Sequence, residues 1–219
     1  MSRIVPAVFT ALLIGSAINH AAATPAERLA KAIQFETISY QDRSQIDLEE
    51  FRRLHAFLRV SFPRVFTQLE VETVNDHSLL LRWPGSDPDL KPVLFTAHMD
   101  VVPIEPGTED DWDHPPFAGV IADGRIYGRG TLDDKQGVLG NLEALESLLA
   151  DGFVPARTLV FAFGHDEEIS GLEGAGKLAE RMLEKGWHFA WMADEGGMLI
   201  SDNPLLLDKD VAIINVAEK

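Results

Sequence analysis

A chain of 219 residues, 46% apolar and 25% charged, has the make-up of a globular protein with room for one sizeable core, which excludes the disordered and collagen-like classes. Its 19 basic against 35 acidic side chains give a formal charge of −16, which argues against nucleic-acid binding because phosphate contacts need a basic surface. Cysteine is absent, so disulfides and thiolate ligands are excluded, and any metal must be held by His, Asp and Glu.

In chain order, the first stretch reads as an export signal. Arg3 supplies the charged start, Ile4 to Ala17 the apolar run, and Ala21-Ala22-Ala23 the small-residue site, with cleavage expected after Ala23. The run of about 14 apolar residues falls short of the roughly 20 a spanning helix needs. Residues 1–23 are therefore expected to be removed, leaving an exported (periplasmic or secreted) protein without a stable membrane span.

Next, Pro25 to Ile38 and Asp47 to Val60 are predicted helices, with Leu29, Ala32 and Ile33 in the first and Leu48, Phe51, Leu54, Phe57 and Leu58 in the second at helical spacing. Leu69, Val71 and Thr73 alternate with polar neighbours as a half-buried strand does, and Ser78 to Trp83 continues as a second strand that Pro84-Gly85 ends. Three apolar runs, Val93 to Ala97, Thr158 to Phe163 and Phe189 to Ala193, suit strands covered on both faces. Val120 to Tyr127 is a predicted hairpin turning at Asp123-Gly124. Gly137 to Leu149 and Ala175 to Leu183 carry apolar stripes and are predicted helices between the strands. The alternation implies an α/β fold with a largely parallel, helix-covered sheet. Val211 to Val216 is a last strand candidate, after which the chain looks cut short, so residues 24–219 are expected to form one incomplete domain.

Each of the three apolar strands ends in acid or imidazole side chains: His98-Met99-Asp100, His165-Asp166-Glu167-Glu168, and Asp194-Glu195-Gly196-Gly197. Ligands of open α/β sheets bind outside the carboxyl ends of the strands. A fourth acidic element, Gly128-Arg129-Gly130-Thr131-Leu132-Asp133-Asp134-Lys135, opens a helix between the first two. Crowded carboxylates raise one another's pKa unless a positive charge compensates them, and a divalent metal is the natural compensator. Oxygen and imidazole donors without thiolate suit zinc, manganese or cobalt. Within this set His98 can ligate through one ring nitrogen while Asp100 accepts a hydrogen bond from the other. Of the adjacent Glu167 and Glu168, one can hold metal while the other faces a water. Taken one at a time, these motifs also fit a solvated strand end, an acidic helix start or an Asp cap.

Together the four ordered motifs resemble the metallopeptidase family of aminoacylase, acetylornithine deacetylase and carboxypeptidase S, from about Leu29 to Lys219. Trp112-Asp113-His114-Pro115-Pro116-Phe117 and Val216-Ala217-Glu218-Lys219 also resemble the carboxypeptidase S branch. The resemblance implies a zinc exopeptidase-like catalytic domain holding two zinc ions. In it His98, Asp133, Glu168 and Asp194 would be metal ligands, with Asp133 bridging and Glu195 in reserve for Asp194. Glu167 would be the general base, Asp100 would orient His98, and the Asp133–Asp134 peptide would be cis. The implied reaction is hydrolysis of an amide bond next to a free carboxylate, in a peptide or N-acyl amino acid, with a homodimer open to the full-length protein. The family's remaining metal-binding His and lid His would lie beyond Lys219, and His114, His165 and His188 do not match them, so this length is expected to show weak metal occupancy and little turnover. A two-metal aminopeptidase and a non-catalytic, degenerate binding module are the competing readings.

Overall fold

A computed structural model describes residues 23–196, 198–200 and 211–213. Residues 1–22, 197, 201–210 and 214–219 lie outside the described residues, so the expected export signal and the end of the last predicted strand stand as sequence expectations. Among the described residues no helix is long and apolar enough to cross a membrane.

The first helix, α1 (Pro25–Ile33), starts where the chain can satisfy its free amides. The Thr24 hydroxyl accepts from Glu27 N, the Glu27 carboxylate accepts from Thr24 N, and Pro25 sits where no amide is needed. The predicted helix to Ile38 is too long. The C-terminal carbonyls of Ala32 and Phe35 accept from the buried Lys135 ammonium (3.2 and 2.5 Å), and Thr37 to Ser39 then run extended beside Val101. β-Branched Thr37 and Ile38 suit that extended course. Helix α2 (Leu48–Ser61) is capped by the Asp47 carboxylate, which accepts from Glu49 N at 2.9 Å. Pro63 opens a six-residue helix, α3 (Pro63–Gln68), too short to leave a periodic signal in the sequence.

Strands β1 (Glu70–Val74) and β2 (Ser78–Trp83) form a hairpin. Then come β3 (Val93–His98), the small hairpin β4 (Val120–Ala122) and β5 (Arg125–Tyr127), helix α4 (Lys135–Ala150), β6 (Leu159–Gly164), helix α5 (Ala175–Glu184) and β7 (Met192–Ala193). The predicted Asp123-Gly124 turn has both residues at positive φ (50° and 73°), as a two-residue hairpin of this kind requires. β8 (Met198–Ile200) pairs antiparallel with β9 (Val211–Ile213), the described part of the last predicted strand.

The main sheet has the order β1-β2-β6-β3-β7. β2 is antiparallel to both its neighbours, and β3 is parallel to β6 and β7, so four of the five strands share one direction. Helices cover both faces. On one, Leu54 and Leu58 of α2, Val65 of α3 and Leu142 and Leu145 of α4 pack on Leu79, Leu81, Phe161 and Phe163. On the other, Leu178 and Met182 of α5 pack on Leu80, Leu94, Val160 and Ala162. Alternate residues of β2 and β6 thus feed opposite cores, which is why their sequences read as unbroken apolar runs.

The third run behaves differently. β7 pairs over two residues with β3 alone and is an edge strand among the described residues, leaving Trp191 and Met192 51% and 57% exposed. It is therefore a shorter and less buried strand than the predicted Phe189 to Ala193. In the register of the parallel strands, His98 lies opposite Gly164 and Phe95 opposite Ala193. The segments leaving β3, β6 and β7 consequently emerge at one edge of the sheet.

Candidate metal centre

His98 ends β3 with its ring almost wholly buried (2% exposed). Nδ1 lies 3.0 Å from the Asp100 carbonyl and 3.3 Å from the Asp100 carboxylate. Nε2 faces three acids: Asp133 Oδ1 at 2.8 Å, Glu195 Oε1 at 3.2 Å and Glu167 Oε2 at 3.8 Å. One ring edge is thus held by its own strand end while the other looks onto carboxylates from three separate segments. Burial lowers the imidazole pKa, but Asp100, Glu195 and Asp133 outweigh it and raise it to about 10.

Asp100 is fully buried, and both oxygens of its carboxylate are engaged. Ser39 Oγ donates to it at 2.7 Å, and the backbone amides of Glu167 and Glu168 donate at 3.1 Å each. Burial opposes its ionisation, yet the bonds from His98 and Ser39 and the His98 charge hold its carboxyl below the usual range. Asp100 therefore contacts the imidazole and also fixes the backbone of the turn after β6. Asp166 braces the far side of the same turn, accepting from Glu173 N, Gly174 N and the Arg43 guanidinium at 2.9, 2.7 and 2.8 Å. Gly174 is needed there, because an added Cβ would lie 2.5 Å from Asp166 Oδ1 and 2.9 Å from His165 N.

Glu167 and Glu168 begin this turn with unlike surroundings. Glu167 is 53% exposed on its side chain, open to water. Glu168 is half-buried, and its pKa is raised by burial first and then by the charge of Asp133. The adjacent residues thus divide into a solvated acid and a desolvated one, with Asp133 close to the second. Asp133 itself is exposed and precedes α4, while Asp134 turns inward and caps that helix by accepting from Gly137 N at 3.2 Å. The peptide between them is cis.

At the end of β7 two acids follow one another. The Thr96 hydroxyl donates to Asp194 Oδ1 at 2.5 Å, which holds that carboxylate beside β3 two residues short of His98. Glu195 reaches the imidazole, and its carboxyl is pushed up to about 7 by burial and by repulsion from Asp134, Asp133 and Glu167, with His98 opposing. His98, Asp133 and Glu195 each offer a ligand atom within 4.8 Å of the others. Of the residues singled out in the sequence, His98, Asp100, Asp133, Glu167 and Glu168 gather at this one edge. Asp194 is adjacent to them, with its oxygen occupied by Thr96. His165 lies apart, its Nδ1 2.7 Å from Ser78 Oγ.

Ser39, Thr96 and Lys135 escape sequence reasoning. Ser39 sits in an extended segment without strand patterning, and Thr96 in a predicted strand where nothing marks its hydroxyl for a partner. Lys135 closes the acidic motif without any sign in the sequence that it is buried, with its pKa pushed down to about 7 by desolvation.

A helix-covered α/β sheet that gathers an imidazole and several carboxylates at the ends of its parallel strands has the donor set and the place of a divalent-metal site. The sequence model of peptidase family M20/M25/M40 matches residues 94–214, and the chain belongs to that family. It is similar to the probable carboxypeptidase S-like 2 of Dictyostelium discoideum, 41% identical over 199 residues, covering 89% of this chain and 38% of that protein. It is also similar to the human N-fatty-acyl-amino acid synthase/hydrolase PM20D1, 40% identical over 197 residues, covering 88% of this chain and 38% of that protein. Among solved structures, human carnosine dipeptidase 1 shares the fold with a TM-score of 0.65 at 23% identity, over 78% of this chain and 38% of that one. The chain thus spans well under half the length of these relatives.

Proposed function

We propose that the protein carrying this sequence is an exported, metal-dependent hydrolase that cleaves an amide bond next to a free carboxylate, as a carboxypeptidase or N-acyl-amino-acid amidohydrolase. One observation carries the reading: a buried imidazole nitrogen with three carboxylate oxygens from separate segments within 3.8 Å. That cluster is like-charged apart from His98, and the carboxyls of Glu168 and Glu195 are raised first by burial and then by their acidic neighbours, with His98 opposing. The donors are all imidazole and carboxylate, so they fit zinc, with cobalt and manganese as the alternatives. His98, Asp133, Glu168 and one acid of the Asp194-Glu195 pair would hold two ions, Asp133 bridging. The naming of relatives as probable carboxypeptidase S-like and as N-fatty-acyl-amino acid synthase/hydrolase supports the same substrate class.

When bound, a zinc pair supplies a lowered pKa for a water and polarisation of the substrate carbonyl. The remaining work falls to side chains. Glu167, solvated and next to the cluster, takes the proton of the attacking water and returns it to the leaving amine. Asp100 keeps His98 Nδ1 engaged, so that Nε2 faces the cluster, and fixes the backbone on which Glu167 and Glu168 stand.

A panel of three substrates tests the reading: an N-acyl amino acid, a dipeptide with a free C-terminus, and the same dipeptide amidated at its C-terminus. Hydrolysis of the first two, abolished by chelation and restored by zinc, is expected, with the amidated peptide slower by on the order of 10²-fold or more. Equal turnover of the amidated peptide with no cleavage of the N-acyl substrate would assign an aminopeptidase instead. Zinc binding without cleavage of any of the three would assign a non-catalytic module.

A further inference from the structure

Three histidines lie together outside the metal-centre cluster. His55 comes from α2, His77 from the β1–β2 turn and His165 from the end of β6, each less than 9% exposed. The His77 and His165 rings are 5.5 Å apart, edge to face, and both pack on Phe51 at 6.0 and 5.9 Å. His165 is anchored to Ser78, but buried His55 Nε2 and His77 Nδ1 have no hydrogen-bond partner among the described residues. Such a cluster is comfortable neutral and strained when charged, since a buried cation without a carboxylate partner is penalised and neighbouring imidazolium rings repel. His55 also lines a cavity of about 480 Å³ with Arg52, Ala56, Arg59, Thr73 and Asp76.

The position of His165 gives the cluster a route to the catalytic turn. The next residue is Asp166, whose carboxylate holds Glu173 N, Gly174 N and Arg43 and so closes the turn bearing Glu167 and Glu168. We propose that His55, His77 and His165 form an acid-sensitive latch, which when neutral holds α2 and the β1–β2 turn against the end of β6, and when protonated loosens that turn.

The charged groups facing the three rings set the direction. His55 meets Arg59 on its own helix together with His77 and His165, and burial with these like charges pushes it down to about 4. His77 is lowered by burial and Arg52, against a weaker pull from Asp76. His165 is lowered by burial, His77 and Arg43, against Asp166 and Asp100. All three folded values lie below the ordinary 6.5, so the unfolded or opened chain binds protons first. The latch is fully closed above about pH 6.5 and weakens as the pH falls from there towards 4.

The test compares the wild-type chain with His55→Leu and His77→Phe. Urea unfolding and amide hydrogen exchange, corrected for intrinsic rates, are followed between pH 7.5 and 4.5, and imidazole C2–H titrations are recorded by NMR. Between these limits the wild-type folding constant is expected to fall about 10²-fold further than that of His55→Leu, and exchange in residues 164–174 to accelerate below pH 6 in wild type more than in either variant. NMR midpoints below 6.5 for all three rings are the matching result, and they remain readable on the wild-type chain if a variant fails to fold. Midpoints at or above 6.5, or variants with the wild-type pH slope, would overturn the latch.

Discussion

Replacing Glu167 with Gln in a catalytically competent protein carrying this sequence is expected to lower kcat by about 10² to 10⁴ while metal content stays at the wild-type level. The two halves of this result come from different features. The amide keeps the shape of the side chain and cannot accept the proton of water, so only the proton relay is lost. Metal is retained because Glu167 is the outlying member of the cluster: its carboxylate is 3.8 Å from His98 Nε2 and 53% exposed, whereas Asp133 and Glu195 approach to 2.8 and 3.2 Å. Steady-state kinetics and metal analysis on the same preparation check it. Loss of metal along with activity would move Glu167 into the ligand set, and near-normal turnover would remove it from the reaction.

The largest stability effect is expected at Asp100. Asp100→Ala strips a fully buried charge from the Ser39 hydroxyl, two backbone amides and the His98 ring at once. Removing one partner from such a buried set costs about 3–5 kcal/mol, and loss of the group that orients a ligand lowers metal affinity about 10- to 100-fold. Asp100→Asn keeps most of the shape and should fall between wild type and Ala on both measures. The pH dependence adds a signature. Because the folded pKa is lowered, the contribution of Asp100 is present above about pH 4 and is lost as the pH falls further. The imidazole latch acts at higher pH, so denaturation curves at pH 7, 5 and 3.5 separate the two. An Ala variant as stable as wild type, binding zinc with unchanged affinity, would contradict the role drawn for this residue.

The sequence made the parallel strands legible because β3 and β6 are buried on both faces, which leaves an unbroken apolar run, and because both runs end in chemistry-bearing residues. The same logic overshot at β7, where the apolar run Phe189 to Ala193 leads to an edge strand with exposed Trp191 and Met192. It also overshot at α1, where nothing local announces that Lys135, a hundred residues away, will take the carbonyls that end the helix. Ser39 was invisible for a similar reason. Its bond to Asp100 depends on the extended pairing of Thr37 to Ser39 with Val101, a long-range contact between segments without strand patterning. At Asp194-Glu195 two adjacent acids follow a strand end, and periodicity cannot say which of them reaches the imidazole. Glu195 lies nearer the imidazole, while Asp194 is tied to Thr96. His55 and His77 carried no motif, and the acidic motif containing His165 said nothing of their packing together, since α2, the β1–β2 turn and β6 meet only in the folded chain.

Anomalous diffraction at the zinc edge, from crystals of the full-length protein carrying this sequence grown or soaked with zinc, tests most directly whether these acids and His98 make one metal centre. The account predicts two zinc peaks at the carboxyl edge of the sheet. One should lie about 2.0–2.1 Å from His98 Nε2. Asp133 should lie between the two, and Glu168 and one acid of the Asp194-Glu195 pair should lie in contact. Zinc bound elsewhere on the acidic surface, with His98 Nε2 still facing carboxylates alone, would contradict it.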